Sequence, residues 1–344
     1  MYHFRNDYSE GCHPAVLNAL AAVNPESIIG YGADHYCKEC ADLIRELCQS
    51  PQADVQFMVG GTQANFTAIA AFLRPWESVI CPASGHINGH EAGAVEATGH
   101  KILQLHTALD GKLTPADILP IIESGRNIHV TKPRLVYISD ATETGGVYTK
   151  AELTALSKCC RENGLLLFLD GARLGCALAS QPNDLTFANL ARLTDAFYIG
   201  GTKNGALMGE TLVITNPALQ PDFFRVKKQQ GAVLAKGWLL GIQFRTLLQD
   251  GLYLKIAGHA VEMAQILQEG LKGMEILMMV DSPTNQLFPI IPNALLAHLE
   301  KLCTFEIWDR PDETCTVIRL VTSFATSLES VRGFLTDFKN LTSD

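Results

Sequence analysis

Lys203, in the run Tyr198-Ile199-Gly200-Gly201-Thr202-Lys203-Asn204-Gly205, follows an apolar strand pattern and is poorly placed for a solvated charge. The position suits an amine that must be partly unprotonated. Loss of water around an ammonium lowers its pKa and leaves a nucleophile able to form a Schiff base. One strand–helix unit earlier, Leu165-Leu166-Leu167-Phe168-Leu169 runs into Asp170-Gly171-Ala172-Arg173. A carboxylate at the end of such a strand is costly unless it meets a cation. Arg173 is one candidate; the protonated ring nitrogen of pyridoxal phosphate (PLP) is another. Lysine and aspartate together point to a PLP enzyme, and neither does so alone.

Three further segments carry chemistry. Gly60-Gly61-Thr62-Gln63-Ala64-Asn65 lies between a strand and a helix pattern, where glycines admit an anion close to the backbone and the helix start offers unpaired N–H groups. An ordinary capped helix after a tight turn reads the same way, and without a following Lys-Ser/Thr it is not a nucleotide P-loop. His86 opens Ser84-Gly85-His86-Ile87-Asn88-Gly89-His90-Glu91, where an imidazole can stack on a cofactor ring or move a proton. His86 and His90 share a helix face, but the zinc-protease pattern with its adjacent glutamate is missing, so no metal site is expected. Arg319 stands alone among apolar residues in Val317-Ile318-Arg319-Leu320-Val321-Thr322. A half-buried guanidinium needs an anion, either a neighbouring Asp or Glu or the carboxylate of an amino acid.

These residues must be held by elements. Short apolar runs at Val55–Val59, Ser78–Cys81, Ile102–Leu105, Leu135–Ile138, Leu165–Leu169, Ala196–Ile199 and Thr211–Ile214 alternate with amphipathic segments at Thr62–Phe72, Pro115–Glu123 and Lys150–Asn163. The alternation predicts an α/β fold of three layers, α/β/α, around a mostly parallel sheet. Gly60–Thr62, Asp170 and Lys203 all follow strand ends, so they should line the carboxyl edge, where open sheets bind ligands. After Pro217 the pattern changes: a long helical stretch over Ala235–Leu271, interrupted near Gly251 and Gly258, precedes strands at Ile276–Val280, Gln286–Ile291, Thr304–Trp308 and Thr316–Val321. Helices are expected at Asn293–Leu302 and Leu328–Leu341. This divides the chain into a large domain over residues 1–240 and, over 241–344, a connecting helix with a smaller α+β domain.

With 47% hydrophobic and 18% charged residues, the 344-residue chain can bury a substantial core. A net charge of −9 without a basic run argues against nucleic acid as partner. The charged N-terminus does not read as a signal peptide and no apolar run is long enough to span a bilayer, so a cytoplasmic protein with no membrane partner is expected. The ten cysteines, including Cys37 and Cys40 in one CxxC, are expected as reduced thiols packed on helices.

In order and spacing the motifs resemble those of the threonine aldolases and related β-eliminating lyases, PLP-dependent enzymes of fold type I (aspartate-aminotransferase-like), over most of the chain. Arg5-Asn6-Asp7-Tyr8-Ser9 is similar to the family's N-terminal substrate-site segment, with Asn6 where serine is usual. Tyr31-Gly32-Ala33-Asp34 resembles its Tyr-Gly-x-Asp motif, and Asp170-Gly171-Ala172-Arg173 its cofactor motif. The resemblance implies cofactor contacts from Gly61, Thr62, His86, Asp170, Arg173, Thr202 and Lys203. Lys236 would stand in for the arginine that relatives lend to a neighbouring subunit's phosphate. Substrate contacts are implied for Asn6, Tyr31, Arg173 and Arg319. Glu143, in Thr142-Glu143-Thr144-Gly145-Gly146, takes the place of a second active-site histidine, so Lys203, His86 and Glu143 form the implied catalytic set.

The implied activity is cleavage of the Cα–Cβ bond of L-threonine- or L-allo-threonine-like 3-hydroxy amino acids to glycine and an aldehyde. A β-eliminating lyase, or a PLP-binding homologue without turnover, are the alternatives. The resemblance also implies a homodimer or homotetramer whose active sites are shared between subunits.

Overall fold

The computed structural model describes residues 1–343. The chain opens with β1 (Tyr2–His3), α1 (Pro14–Val23) and α2 (His35–Leu47) before entering the main sheet. There follow β2 (Asp54–Met58), α3 (Gly61–Phe72), β3 (Glu77–Pro82), the single turn α4 (His86–Gly89), β4 (Lys101–Leu105), α5 (Pro115–Ser124) and β5 (Lys132–Ser139). Next come α6 (Lys150–Glu162), β6 (Leu166–Asp170), α7 (Leu174–Ala179), α8 (Phe187–Leu193), β7 (Ala196–Gly200) and β8 (Glu210–Ile214). The strands form one seven-stranded sheet in the order β2-β8-β7-β6-β5-β3-β4. β8 is antiparallel to both neighbours, and the pairings among β3 to β7 are parallel. This is the expected mostly parallel α/β sheet.

Every residue of β6, β7 and β8 is buried, which is why those runs read as continuously apolar instead of alternating. Helices start where local chemistry dictates. Thr149 and Glu152 form a capping box at the head of α6: the Glu152 carboxylate accepts the Thr149 N–H at 2.8 Å and the Thr149 hydroxyl accepts the Glu152 N–H at 3.3 Å. At the end of β6 the backbone turns so closely under β7 that a Cβ on Gly171 would lie 1.8 Å from the Tyr198 carbonyl oxygen. Only glycine fits there.

Beyond the sheet come α9 (Phe223–Gln229), α10 (Trp238–Leu248) and α11 (Leu252–Lys272). The smaller unit is built from β9 (Gln286–Leu287), β10 (Ile290–Pro292), α12 (Asn293–Leu302), β11 (Cys303–Thr304), β12 (Glu306–Asp309), β13 (Cys315–Val321) and α13 (Leu328–Ser343). Its antiparallel strands centre on β13. A separate core of Phe4, Leu267, Leu287, Ile318, Phe334 and Phe338 lies among these elements.

Four details differ from the sequence expectation. The helical stretch breaks at Asp250 and Gly251, both with positive φ, but runs on through Gly258. Ile276–Val280 is not a strand; Met278 makes one isolated bridge to Pro289. Pro289, lacking an N–H to extend a ladder, also splits Gln286–Ile291 into β9 and β10. A division at 240/241 falls inside α10, and β1 pairs with β11, so the N-terminus packs with the smaller unit. No helix among the described residues is long and apolar enough to cross a membrane.

Candidate active site

A cavity of about 350 Å³ opens at the carboxyl edge of the sheet. Its walls come from the ends of several strands: Val59–Thr62 after β2, His86 after β3, Ser139, Ala141 and Glu143 at and after β5, Asp170, Ala172 and Arg173 at and after β6, and Thr202 and Lys203 after β7. Because β8 runs the other way, it contributes its first residue, Glu210. Tyr8, Tyr198 and Met208 complete the lining.

Lys203 lies in the loop between β7 and β8. The loop's neck is tied by Gly201 N–H donating to the Glu210 carboxylate at 2.9 Å and by Thr202 N–H donating to the Gly209 carbonyl at 3.1 Å. The Lys203 amine has no hydrogen-bond or ion-pair partner among the described residues; the Tyr8 ring lies 5.9 Å away. Burial, then the positive charge of Arg173, lowers its pKa, against the opposing pull of Asp7, Asp170 and Glu210. Burial pushes Glu210 up to about 7, against the Gly201 N–H and the charge of Lys203.

Asp170 is buried and accepts hydrogen bonds through both oxygens. One oxygen accepts from the Ala172 N–H at 2.9 Å and from the Tyr198 hydroxyl; the other accepts from the Tyr137 hydroxyl at 2.5 Å and Asn65 Nδ2 at 3.0 Å. Asn65 also donates, at 2.8 Å, to Glu91 Oε1, which pairs with His86 Nδ1 at 2.8 Å. A continuous polar chain therefore joins His86 to Asp170 through Glu91 and Asn65. Arg173 does not pair with Asp170. It forms a two-bonded contact with Asp7 at 2.7 and 3.1 Å, and Asn285 donates to the same Asp7 carboxylate at 2.9 Å.

Glu143 Oε1 accepts the His86 backbone N–H at 2.9 Å and the Ser139 hydroxyl at 2.7 Å. Its Oε2 is buried with no hydrogen-bond partner. Burial, then the Asp170 charge, raises the Glu143 pKa above its ordinary 4.5. This carboxyl sits beside the cavity with one oxygen still able to take or give a proton.

The donor set accommodates PLP. The head of α3 begins at Gly60 with no side-chain cap, so its first N–H groups meet the cavity beside the Thr62 hydroxyl, as a phosphate requires. A Cβ on Gly61 would stand 3.0 Å from the Tyr198 hydroxyl, so the glycine leaves Tyr198 free to reach Asp170.

The structure gathers Gly61, Thr62, His86, Glu143, Asp170, Arg173, Thr202 and Lys203 around one cavity. The remaining candidates lie elsewhere. Asn6 spends its side-chain oxygen on its own turn, accepting from Tyr8 N–H at 3.0 Å and the Ser9 hydroxyl at 2.8 Å. Arg319 lies outside the lining and donates to Glu306. Tyr31 and Lys236 are exposed, on neighbouring loops joined by Tyr31 N–H donating to the Ala235 carbonyl at 2.9 Å. Sequence reading passed over Asp7, Tyr8, Glu91, Tyr137, Tyr198 and Glu210. Glu210, a carboxylate abutting the apolar run Thr211–Ile214, carried the same signal as Asp170. The tyrosines carried none, since a buried Tyr reads as core.

The fold is that of the aspartate-aminotransferase-like class. The fold matches that of a Thermus thermophilus aspartate aminotransferase single mutant with a TM-score of 0.72, over 99% of this chain and 92% of the other, at 16% identity. Within that class the chain belongs to the β-eliminating lyase family, which residues 4–293 match. It is 34% identical to the low specificity L-threonine aldolase of Pseudomonas aeruginosa, over 98% of this chain and 96% of that protein. A structure of Leishmania major threonine aldolase superposes with a TM-score of 0.98 at 47% identity, covering 99% of each chain.

Proposed function

We propose that the protein is a PLP-dependent aldolase that cleaves 3-hydroxy amino acids such as L-threonine and L-allo-threonine to glycine and an aldehyde. The observation that carries this reading is the meeting, in one cavity, of the unpaired Lys203 amine with Glu143, whose Oε2 has no partner. The similarity to threonine aldolases along nearly the whole chain supports it.

In this reading Lys203 would hold the cofactor covalently, Asp170 would keep its ring nitrogen protonated, and the head of α3 with Thr62 would take its phosphate. Bound there, PLP supplies a sink for the electron pair released at Cα. His86, held by Glu91 at the cavity wall, is the residue that would pack against the ring. Arg319 takes the substrate carboxylate and so orients the bond to be broken. Glu143 removes the proton of the β-hydroxyl; its raised pKa makes it a stronger base once ionised. The Ser139 hydroxyl and the His86 N–H keep its other oxygen in place.

The exposed position of Tyr31 and Lys236, away from their own chain's cavity, supports a homodimer or homotetramer in which they complete a neighbour's site. The deciding experiment is a product assay on L-threonine, L-allo-threonine and phenylserine. Glycine with an aldehyde is the expected result; ammonia with a 2-oxo acid would replace aldol cleavage by β-elimination.

A further inference from the structure

Two arginines near the cavity use the same edge of the guanidinium differently. Arg173 donates from Nε and Nη2 to both oxygens of Asp7. Arg319 donates from Nη2 to Glu306 Oε2, while its Nε, on the same edge, is buried without a hydrogen-bond partner. Half of a carboxylate-binding fork is therefore taken by a side chain of the protein and half is unused.

Strand geometry sets up the contact. Glu306 and Arg319 face each other directly across the antiparallel pair β12–β13, and the Trp308 ring lies 5.5 Å from the Arg319 guanidinium carbon. Arg319 lies within electrostatic reach of the site, since the charges of Arg173 and Asp7 both act on it. The Arg319 side chain is 13% exposed and that of Glu306 is 38% exposed, so the glutamate can turn into water at little cost while the arginine stays. A carboxylate that binds both Nε and Nη2 competes with Glu306 for Nη2.

We propose that Glu306 is a built-in competitor for the substrate carboxylate at Arg319, and so sets how tightly the site holds amino acids. The proposal rests on the reading of Arg319 given under the proposed function. A purely structural ion pair would behave differently, because its removal would cost stability without tightening binding. The effect acts on the carboxylate alone, so it is the same for glycine and for L-threonine.

The test is calorimetric binding of glycine to the PLP-loaded enzyme, together with L-threonine kinetics, for wild type, Glu306→Gln, Arg319→Gln and the double variant. Loss of a partly exposed competing pair should lower the glycine Kd and the L-threonine KM of Glu306→Gln by about fivefold, with a smaller change in kcat. Arg319→Gln should weaken glycine binding, and Glu306→Gln should bring no gain in that background. Glu306→Asp, which keeps the charge but shortens its reach, should fall between wild type and Glu306→Gln. If Arg319→Gln weakens glycine while Glu306→Gln and Glu306→Asp bind it no better than wild type, the proposal is overturned. If Arg319→Gln leaves glycine binding intact, the reading of Arg319 fails, and the proposal with it.

Discussion

Arg173 and Asp7, separated by most of the large sheet in sequence, form a buried two-bonded ion pair at 2.7 and 3.1 Å. It joins the N-terminal segment, which packs with the smaller unit, to the end of β6. Asn285 donates to both the Asp7 carboxylate and the Thr322 carbonyl at 2.9 Å, drawing β9 and β13 into the same junction.

That junction should fail under acid. Burial alone would raise the Asp7 carboxyl, but the charges of Arg173 and Lys203 and two side-chain hydrogen bonds hold it below its ordinary 3.8. A carboxylate with a depressed folded pKa adds stability that is present above the unfolded value and lost as pH falls through the folded one. Asp7→Asn leaves Arg173 buried without its counter-charge and should cost about 3–5 kcal/mol at neutral pH. Its unfolding curve should also lose part of the acid dependence that wild type shows below about pH 4. Urea titrations from pH 3 to about 7 check both statements.

Glu143 should govern the proton step. Its raised pKa places the acid limb of the wild-type kcat/KM profile above pH 4.5. Glu143→Gln keeps the size and the hydrogen bonds to Ser139 and His86 but removes the base. Turnover should drop by about 100-fold, the acid limb should vanish, and the ratio of threo to erythro product in the reverse reaction should change. Unchanged rate and ratio would remove Glu143 from the mechanism.

Lys203→Ala should bind PLP without the absorbance of a covalently attached cofactor and should lack activity. Far-ultraviolet circular dichroism should match wild type, since the amine has no hydrogen bond or ion pair to lose. A variant that still forms the covalent band would assign the attachment to another lysine.

Tyr137→Phe deletes a buried hydrogen bond to the Asp170 carboxylate without changing the ring packed against Phe168. Hydrogen bonds to charged groups are worth about 1.5–3 kcal/mol, and urea unfolding should show a loss in that range. Asn65→Ala should also uncouple Glu91 from Asp170, because one Nδ2 group serves both.

The order of elements was open to reading along the chain wherever a strand is buried on both faces or a helix has its own cap. Leu165–Leu169 and Lys150–Asn163 are such places, and the strand and helix found there lie within a residue or two of the expected bounds. Lys203 and Asp170 were legible for a related reason: a charge beside an apolar run has to be explained by function. The resemblance to threonine aldolases placed Glu143 beside them.

Other features depend on neighbours hundreds of residues away. Whether Arg173 meets Asp170 or Asp7 is decided by the N-terminal strand, which crosses to the smaller unit and pairs with β11. Glu210 enters the cavity because β8 is antiparallel, a reversal that its five residues do not announce. Composition and local pattern determined the class of fold and singled out Lys203 and Asp170, since burial periodicity and the cost of an unpaired charge act within a few residues. The tertiary structure decided which partner each charge takes, because hydrogen bonds and Coulomb forces depend on distance in space.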